Sequence, residues 1–352
     1  MARQSRENAA VRSFILKNVS QFPRAIASVT AELFGLSRAS INGYLNRLID
    51  QGLLLGAGTT KARSYSLARL VDISATIPIS VGVSDDAAWQ FRIAPALRDV
   101  RKNIVDLCHY GFTEMLNNAI EHSGSATAMI SVRQTAVGIE MMVADEGVGI
   151  FDKIRLTFGL SDARSALLEL SKGKLTSDPR RHAGEGIFFT SRMFDRFSIH
   201  SSNLVYVRRR VDDADWLIEV EDEDHYQGTA VTMSITLDAQ WTTQEVFETY
   251  QGDSVRFRKT HVPLLLGKQP GEQLVSRSQA KRILARFEEF SEVLLDFQGV
   301  EEIGQPFADE IFRVFAANHP AITVRCVNAS PLVEQMIAYV RKGEDYSEPR
   351  LL

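Results

Sequence analysis

Cysteine is almost absent from this chain, with two in 352 residues, Cys108 and Cys326. They stand far apart and without the Cys/His spacing that ligates zinc. A disulfide framework and a structural zinc site are therefore both excluded, and both thiols are expected to be small buried hydrophobes in a reducing compartment. No apolar run approaches the roughly 18 residues that a membrane-spanning helix requires. The N-terminal MARQSREN has no apolar core of the signal-peptide kind. Neither internal repeats nor low-complexity tracts occur. No membrane partner and a cytoplasmic location are the expectations. A net charge of −4 gives no global attraction to nucleic acid.

The charge is unevenly spread. Residues 1–70 hold ten Lys/Arg against three Asp/Glu, leaving +7, so the remainder of the chain carries −11. Such a basic N-terminal module suits a polyanion. Val11, Phe14, Ile15 and Val19 predict a helix over about 6–19. A second helix is predicted over about 24–34, followed by Gly35 for a tight turn. Ser37 suits the N-cap of a third helix, 38–51, whose Ile41, Leu45, Leu48 and Ile49 face inward. Leu53–Leu55 and Tyr65–Leu67, joined through Gly56-Ala57-Gly58, predict a two-stranded hairpin.

This run, and AELFGLSRASINGYLNRLIDQGLL in particular, resembles a winged helix-turn-helix module. The resemblance implies a third helix that enters a DNA major groove. Outward positions Ser37, Arg38, Ser40, Asn42, Asn46 and Arg47 would then meet bases or phosphates, and Lys61 and Arg63 on the wing would hold phosphates. Dimerisation or docking within the chain is the alternative use of such a fold.

The middle of the chain carries the chemistry. Glu114, Asn118 and His122 recur every four residues on a predicted helix over about 96–122, so their side chains share one face. Strands are predicted at 127–133 and 138–144, and the second runs into Asp145-Glu146-Gly147-Val148-Gly149. Gly184-Glu185-Gly186 opens a further helix, to 194, and strands continue to Thr229–Leu237. Two more strands are expected earlier, at 79–83 and 89–93, around an Asp85-Asp86 turn. Residues 151–183 are expected to be polar and loop-rich, with one short helix at 162–171. The acidic run 212–224 is expected to form a solvated hairpin.

These motifs, in this order over about 150 residues, resemble the GHKL ATPase family of histidine kinases, anti-sigma-factor kinases, type II topoisomerases and heat-shock chaperones. The resemblance implies a Bergerat-type α/β sandwich that binds ATP and Mg²⁺. Asn118 would hold Mg²⁺, Glu114 would be the catalytic base in a hydrolysing member, and His122 would approach a phosphate. Asp145 would accept the adenine amino hydrogen, with Thr229 near the base. Gly147 and Gly149 would admit the base and sugar, and Gly184 and Gly186 would meet the phosphates. Lys172, Lys174, Arg180 and Arg181 would belong to a lid over the triphosphate. The phosphoacceptor motif of histidine kinases is absent, and His109 is expected to be a structural helix residue.

After a linker around 241–259, strands are expected at 261–266, 292–297 and 322–327. Helices alternate with them at 278–290, 306–317 and 331–341, which argues for a mostly parallel sheet. SRSQAKRILARFEEFSEVLLDFQGVEEIGQPFADEIFRVF resembles a STAS-like domain of unknown function, similar in outline to anti-sigma-factor antagonists. The turn after Asp296 lacks their acceptor serine. Asp296, Asp309 and Glu310 are expected to cap helices or face solvent.

The expected fold class is multidomain α+β: a winged helix (1–75), a GHKL domain (76–240) and a STAS-like α/β domain (260–345). The expected function is an ATP-binding transcriptional regulator with DNA as partner. A protein partner would use the C-terminal domain, and a homodimer stays open. The alternatives are an anti-sigma-type serine/threonine kinase and a slow ATPase.

Overall fold

The structure, a computed structural model, describes residues 2–59, 62–79, 84–175, 184–211, 214–220, 225–251, 258–268 and 271–342. Lys61, Arg180 and Arg181 lie outside the described residues.

The basic segment forms α1 (Ala2–Asn18), α2 (Ile26–Phe34) and α3 (Arg38–Asp50), followed by the antiparallel hairpin β1 (Leu54–Ala57) and β2 (Ser64–Leu67). Gly35 ends α2 in the left-handed region, at φ 64°, which costs glycine little. Ser37 caps α3 by accepting from the Ser40 N–H. Val11, Ile15, Ile26, Ile41, Leu45 and Leu48 meet in a core of their own.

Next comes a seven-stranded antiparallel sheet of order β3-β4-β5-β9-β6-β7-β8. Its strands are β3 (Val71–Pro78), β4 (Thr127–Gln134), β5 (Gly138–Asp145), β6 (Arg196–Ser202), β7 (Leu204–Arg209), β8 (Ala214–Glu219) and β9 (Tyr226–Thr236). The helices of this part are α4 (Asp85–Ala88), α5 (Lys102–His122), α6 (Ile150–Phe158), α7 (Ala163–Lys172), α8 (Gly186–Met193) and α9 (Thr243–Gln251). Helix α5 buries Ile104, Leu107, Cys108, Phe112, Met115, Leu116 and Ala119, a stripe at helical spacing that lies against the sheet.

The third part is a parallel three-stranded sheet, β10 (Lys259–Pro263), β11 (Glu292–Asp296) and β12 (Thr323–Val327). Helix α10 (Arg277–Leu284) follows β10. After β11, α11 (Gln305–Asp309) continues through a π-helical stretch into α12 (Ala316–Asn318), and α13 (Pro331–Lys342) follows β12.

Several expectations fail here for physical reasons. Trp89–Ile93 is a helical turn, not a strand. Its Trp-Phe-Ile alternation mimics a strand, yet Phe91 is 83% exposed while Trp89 and Ile93 are buried at i,i+4 spacing. The stretch around 241–259 is no plain linker, since α9 packs there against α8. Asp215, in the acidic run, is buried and bridges Arg208 at 2.6 Å. Asp296 is also buried. It binds the His261 ring at 3.0 Å, the Asn328 amide at 2.9 Å and the Gln298 N–H at 2.9 Å. Burial pushes its carboxyl up, but these donors outweigh burial and hold it below the usual range. His109 does stack on Trp89, at 4.8 Å, as a structural residue. No described helix is long and apolar enough to cross a membrane.

Gly111 in α5 marks a close approach of the helix to Phe194, just after α8, and to Met233 of β9. A Cβ there would stand 2.5 Å from the Phe194 ring and 3.1 Å from the Met233 sulfur, both fully buried. The helix-propensity gain of Gly→Ala is about 1 kcal/mol, whereas overpacking costs about 1–3 kcal/mol. Gly111→Ala is therefore expected to lower stability by about 1 kcal/mol, read from the urea midpoint. A raised midpoint would mean that this contact relaxes freely.

Candidate nucleotide site

A cavity of about 370 Å³ lies where the ends of α5, β5, α6, α8 and β9 converge. Its walls include Glu114, Asn118, His122, Asp145, Gly149, Gly184, Gly186 and Thr229. Helical periodicity aligns the first three along α5. The register of β5 against β9 sets Asp145 directly beside Thr229. Thr229 Oγ1 accepts the Ile150 N–H at 3.0 Å, tying the start of α6 to β9.

Asp145 is 6% exposed and accepts the Gly147 N–H at 2.9 Å. Burial raises its carboxyl above the usual range, against the opposing pull of the Gly147 and Thr229 amides. Gly228 and Gly147 are steric necessities, since a side chain at either would strike backbone, whereas at Gly186 it would displace the Glu114 carboxylate. A Cβ on Gly228, at φ 94°, would meet the Asp145 carbonyl oxygen at 2.1 Å. A Cβ on Gly186 would meet Glu114 Oε2 at 2.0 Å, so the Glu114 carboxylate rests against the N-terminus of α8. Gly147 lies behind the cavity, where a Cβ would strike the Ser123 carbonyl oxygen at 2.0 Å.

Sequence reasoning missed Tyr110, Lys153 and Glu185, which also line the cavity. Lys153 Nζ donates to the His122 carbonyl oxygen. Its signal was its place one turn into the helix that Gly149 opens. Burial, with the Glu114 and Glu185 carboxylates adding to it, pushes the Tyr110 hydroxyl up. Burial also raises Glu185, against the Lys174 charge.

Glu114, Glu185 and Asp145 in the walls outnumber Lys153, so a polyphosphate held here calls for a bound cation as well. Among the described residues no cluster of three His, Cys, Asp or Glu could hold a metal alone. Hard oxygens of Asn118 and Glu114 together with phosphate oxygens fit Mg²⁺, which keeps few protein ligands.

The expected lid is different in kind. Residues 151–172 are mostly helical, as α6 and α7, and every α7 residue from Ser165 to Lys172 is buried. Lys172 does not line the cavity. It is fully buried and paired with Glu169 at 2.6 Å, and it donates to the Ala285 carbonyl oxygen at 2.9 Å. Lys174 also turns away, donating to the Glu289 carbonyl oxygen at 2.6 Å. The Leu175 N–H donates to the Gly184 carbonyl oxygen at 3.2 Å.

Residues 87–209 match the family model of the histidine kinase-like ATPase domain, and residues 279–334 match that of a STAS-like domain of unknown function (DUF4325). Comparison with curated proteins found no match. The first span covers the helix of Glu114 and Asn118, the Asp145–Gly149 turn and the Gly184–Gly186 turn, and ends before β9. The chain thus carries a histidine kinase-like ATPase domain, a nucleotide-binding class that generally uses Mg²⁺, and a STAS-like domain.

The raised Asp145 carboxyl gives a pH prediction for the nucleotide-free protein. A group whose folded pKa is raised stabilises below its unfolded pKa and loses that contribution as pH rises through the folded value. Asp145→Asn keeps the acceptor for the Gly147 N–H and removes the buried charge. The variant is expected to be more stable than wild type at pH 7, with the difference shrinking as pH falls through the carboxylate range. Thermal midpoints from pH 4 to 8 check this, and a variant less stable at pH 7 would refute it.

Proposed function

We propose that this chain is a DNA-binding regulator whose ATPase domain binds Mg-ATP and passes its occupancy to the flanking domains. The observation that carries the reading is the position of α7. This helix lies between the two halves of the nucleotide cavity in sequence, yet it is buried against the C-terminal domain. Arg286 there donates to Glu169 at 3.2 Å and to the Gly173 and Lys174 carbonyl oxygens at 3.0 and 2.7 Å. Thr260 Oγ1 donates to the Lys172 carbonyl oxygen at 2.7 Å. Leu168 touches the position of Gly267. A shift of α6 or of the Gly184 turn on nucleotide binding must move α7, and with it these contacts.

In this reading Asp145 accepts from the adenine amino group, and Asn118 presents its amide oxygen to Mg²⁺. The cation's chemistry is charge neutralisation of the phosphates. His122 and Lys153 face the phosphate end, and the glycines at 149, 184 and 186 give the ligand room at the backbone. Thr229 holds both the α6 entry and the edge of the base site.

DNA binding rests on the basic segment, read as a winged helix. Arg38, Ser40, Asn42, Asn46 and Arg47 are exposed on α3, and Arg63 is exposed on the hairpin. Arg47 lies over the Tyr44 ring at 4.5 Å, which extends its guanidinium along the helix. The segment is joined to the sheet. Leu70 N–H donates to the Gln134 carbonyl oxygen at 2.7 Å, and Lys17 pairs with Asp238 at 2.6 Å.

A second reading has a specific support: Glu114 lines the same cavity as Asn118, where a base would activate water or a hydroxyl. Slow hydrolysis, or transfer to a serine or threonine of a separate protein, would release or transfer labelled phosphate, which the regulator reading does not require.

Coupling free energies between sites are about 1–3 kcal/mol, or about 5- to 150-fold in affinity. Saturating Mg-ATP is therefore expected to change the affinity for DNA by at least about fivefold at fixed salt. An unchanged affinity in protein shown to be nucleotide-bound would overturn the coupling.

A further inference from the structure

At the far end of α8 from the nucleotide cavity lies a second cavity of about 290 Å³, lined by Arg192, Arg208, Arg210, Glu245, Val246, Thr249 and Tyr250. Arg192 is 4% exposed and its charge is permanent. Its described hydrogen bonds run to neutral acceptors, the Phe188 carbonyl oxygen at 3.0 Å and Ser191 Oγ at 3.0 Å, and its Nε has no partner. The guanidinium sits 3.4 Å from the centroid of the Phe188 ring, which offsets part of the cost of burial.

No described carboxylate is committed to Arg192. Asp215, the buried acid here, is taken by Arg208 at 2.6 Å and by the Tyr206 hydroxyl. Glu245 is exposed and engaged at the start of α9, accepting from the Thr242 N–H at 2.8 Å. Arg208 is close enough to repel the Arg192 charge. Asp215 offsets part of that repulsion, but its described bonds go to Arg208 and Tyr206 rather than to Arg192. Arg210, half-buried, joins them at the wall, fixed by its bond to the Arg192 carbonyl oxygen at 2.6 Å and stacked 4.1 Å from the Trp241 ring. A buried charge left unpaired costs several kcal/mol, so an anion bound in the cavity beside Arg192 would relieve that cost.

We infer that this cavity is a binding site for a small oxyanion, a phosphate or carboxylate group, held by Arg192 with Arg210 at the rim. Guanidinium forks match the paired oxygens of such groups. The site is separate from the nucleotide cavity but shares α8 with it. Gly186 opens that helix at the nucleotide and Arg192 closes it at the anion. An anion here would bear on the nucleotide site through one short rigid element.

The test uses the full chain titrated with sodium phosphate and, separately, sodium malonate, against sodium chloride at matched ionic strength. Thermal midpoint and Trp fluorescence are the readouts, since Arg210 stacks on Trp241. One or both oxyanions are expected to raise the midpoint saturably, and the anion that acts identifies the class. Arg192→Met should abolish the response, because it replaces the buried charge with an apolar chain of similar length, a change that folds commonly tolerate. Arg210→Gln, at the rim, should weaken it about tenfold, the worth of one charge-assisted hydrogen bond. Asn118→Ala, in the nucleotide cavity, should leave it intact. A response equal in Arg192→Met and wild type, a response lost in Asn118→Ala, or no response to either anion would overturn the inference. If Arg192→Met does not fold, Arg210→Gln decides alone, an unweakened response counting against the site.

Discussion

The burial of α7 on all sides is the constraint on which the middle and C-terminal parts of the chain depend. A short helix with Lys and Glu at its end does not enter an interior unless both charges are matched. Here Lys172 and Glu169 match each other, and Arg286 closes the set from the other domain. Breaking one member of such a network leaves an uncompensated buried charge, at about 3–5 kcal/mol. The network thus works as a lock whose two halves belong to the ATPase domain and the STAS-like domain. It also fixes where α7 ends. Gly173 and Lys174 take positive φ, at 79° and 55°, and hand the chain back toward the nucleotide cavity through Leu175.

The nucleotide cavity shows a second physical logic, in which stability is given up for chemistry. Asp145 is buried with a raised carboxyl, and the glycines around it are the residues that let the backbone close over it. A raised, buried acid beside a cavity is the pattern expected where a side chain serves a ligand rather than the fold. Arg192 follows the same pattern with opposite sign, at the other end of α8. The two ends of one eight-residue helix thus hold an acidic, nucleotide-sized cavity and a basic, smaller one.

Much of this was legible in the sequence because the informative features are local. Glu114 and Asn118 lie one turn apart on a helix, Asp145 ends an alternating strand, and glycines sit at turns, so each signal is carried within a few residues. The parallel alternation of 259–342 was equally readable, since each strand and helix announces itself by its own periodicity. What escaped depends on the third dimension. The Lys172 and Lys174 charges read as part of a lid over the phosphates because the carbonyl oxygens of Ala285 and Glu289 that receive them lie more than a hundred residues away, and the i,i+3 pairing of Lys172 with Glu169 looks like an ordinary helix-surface pair in sequence. Trp89–Ile93 read as a strand because period two and i,i+4 spacing coincide over five residues. The pairing of Arg208 with Asp215 was hidden in an acidic run that looked solvated, since only the β7–β8 register brings the two together.

The most direct test follows amide hydrogen exchange along the chain with and without Mg-ATP. If occupancy passes through α7, exchange should change at 163–172, whose Leu170 lines the nucleotide cavity, and also at 258–268 and 277–290, neither of which lines it. Changes confined to 110–154 and 184–193, with α7 and the STAS-like domain unaltered, would contradict it.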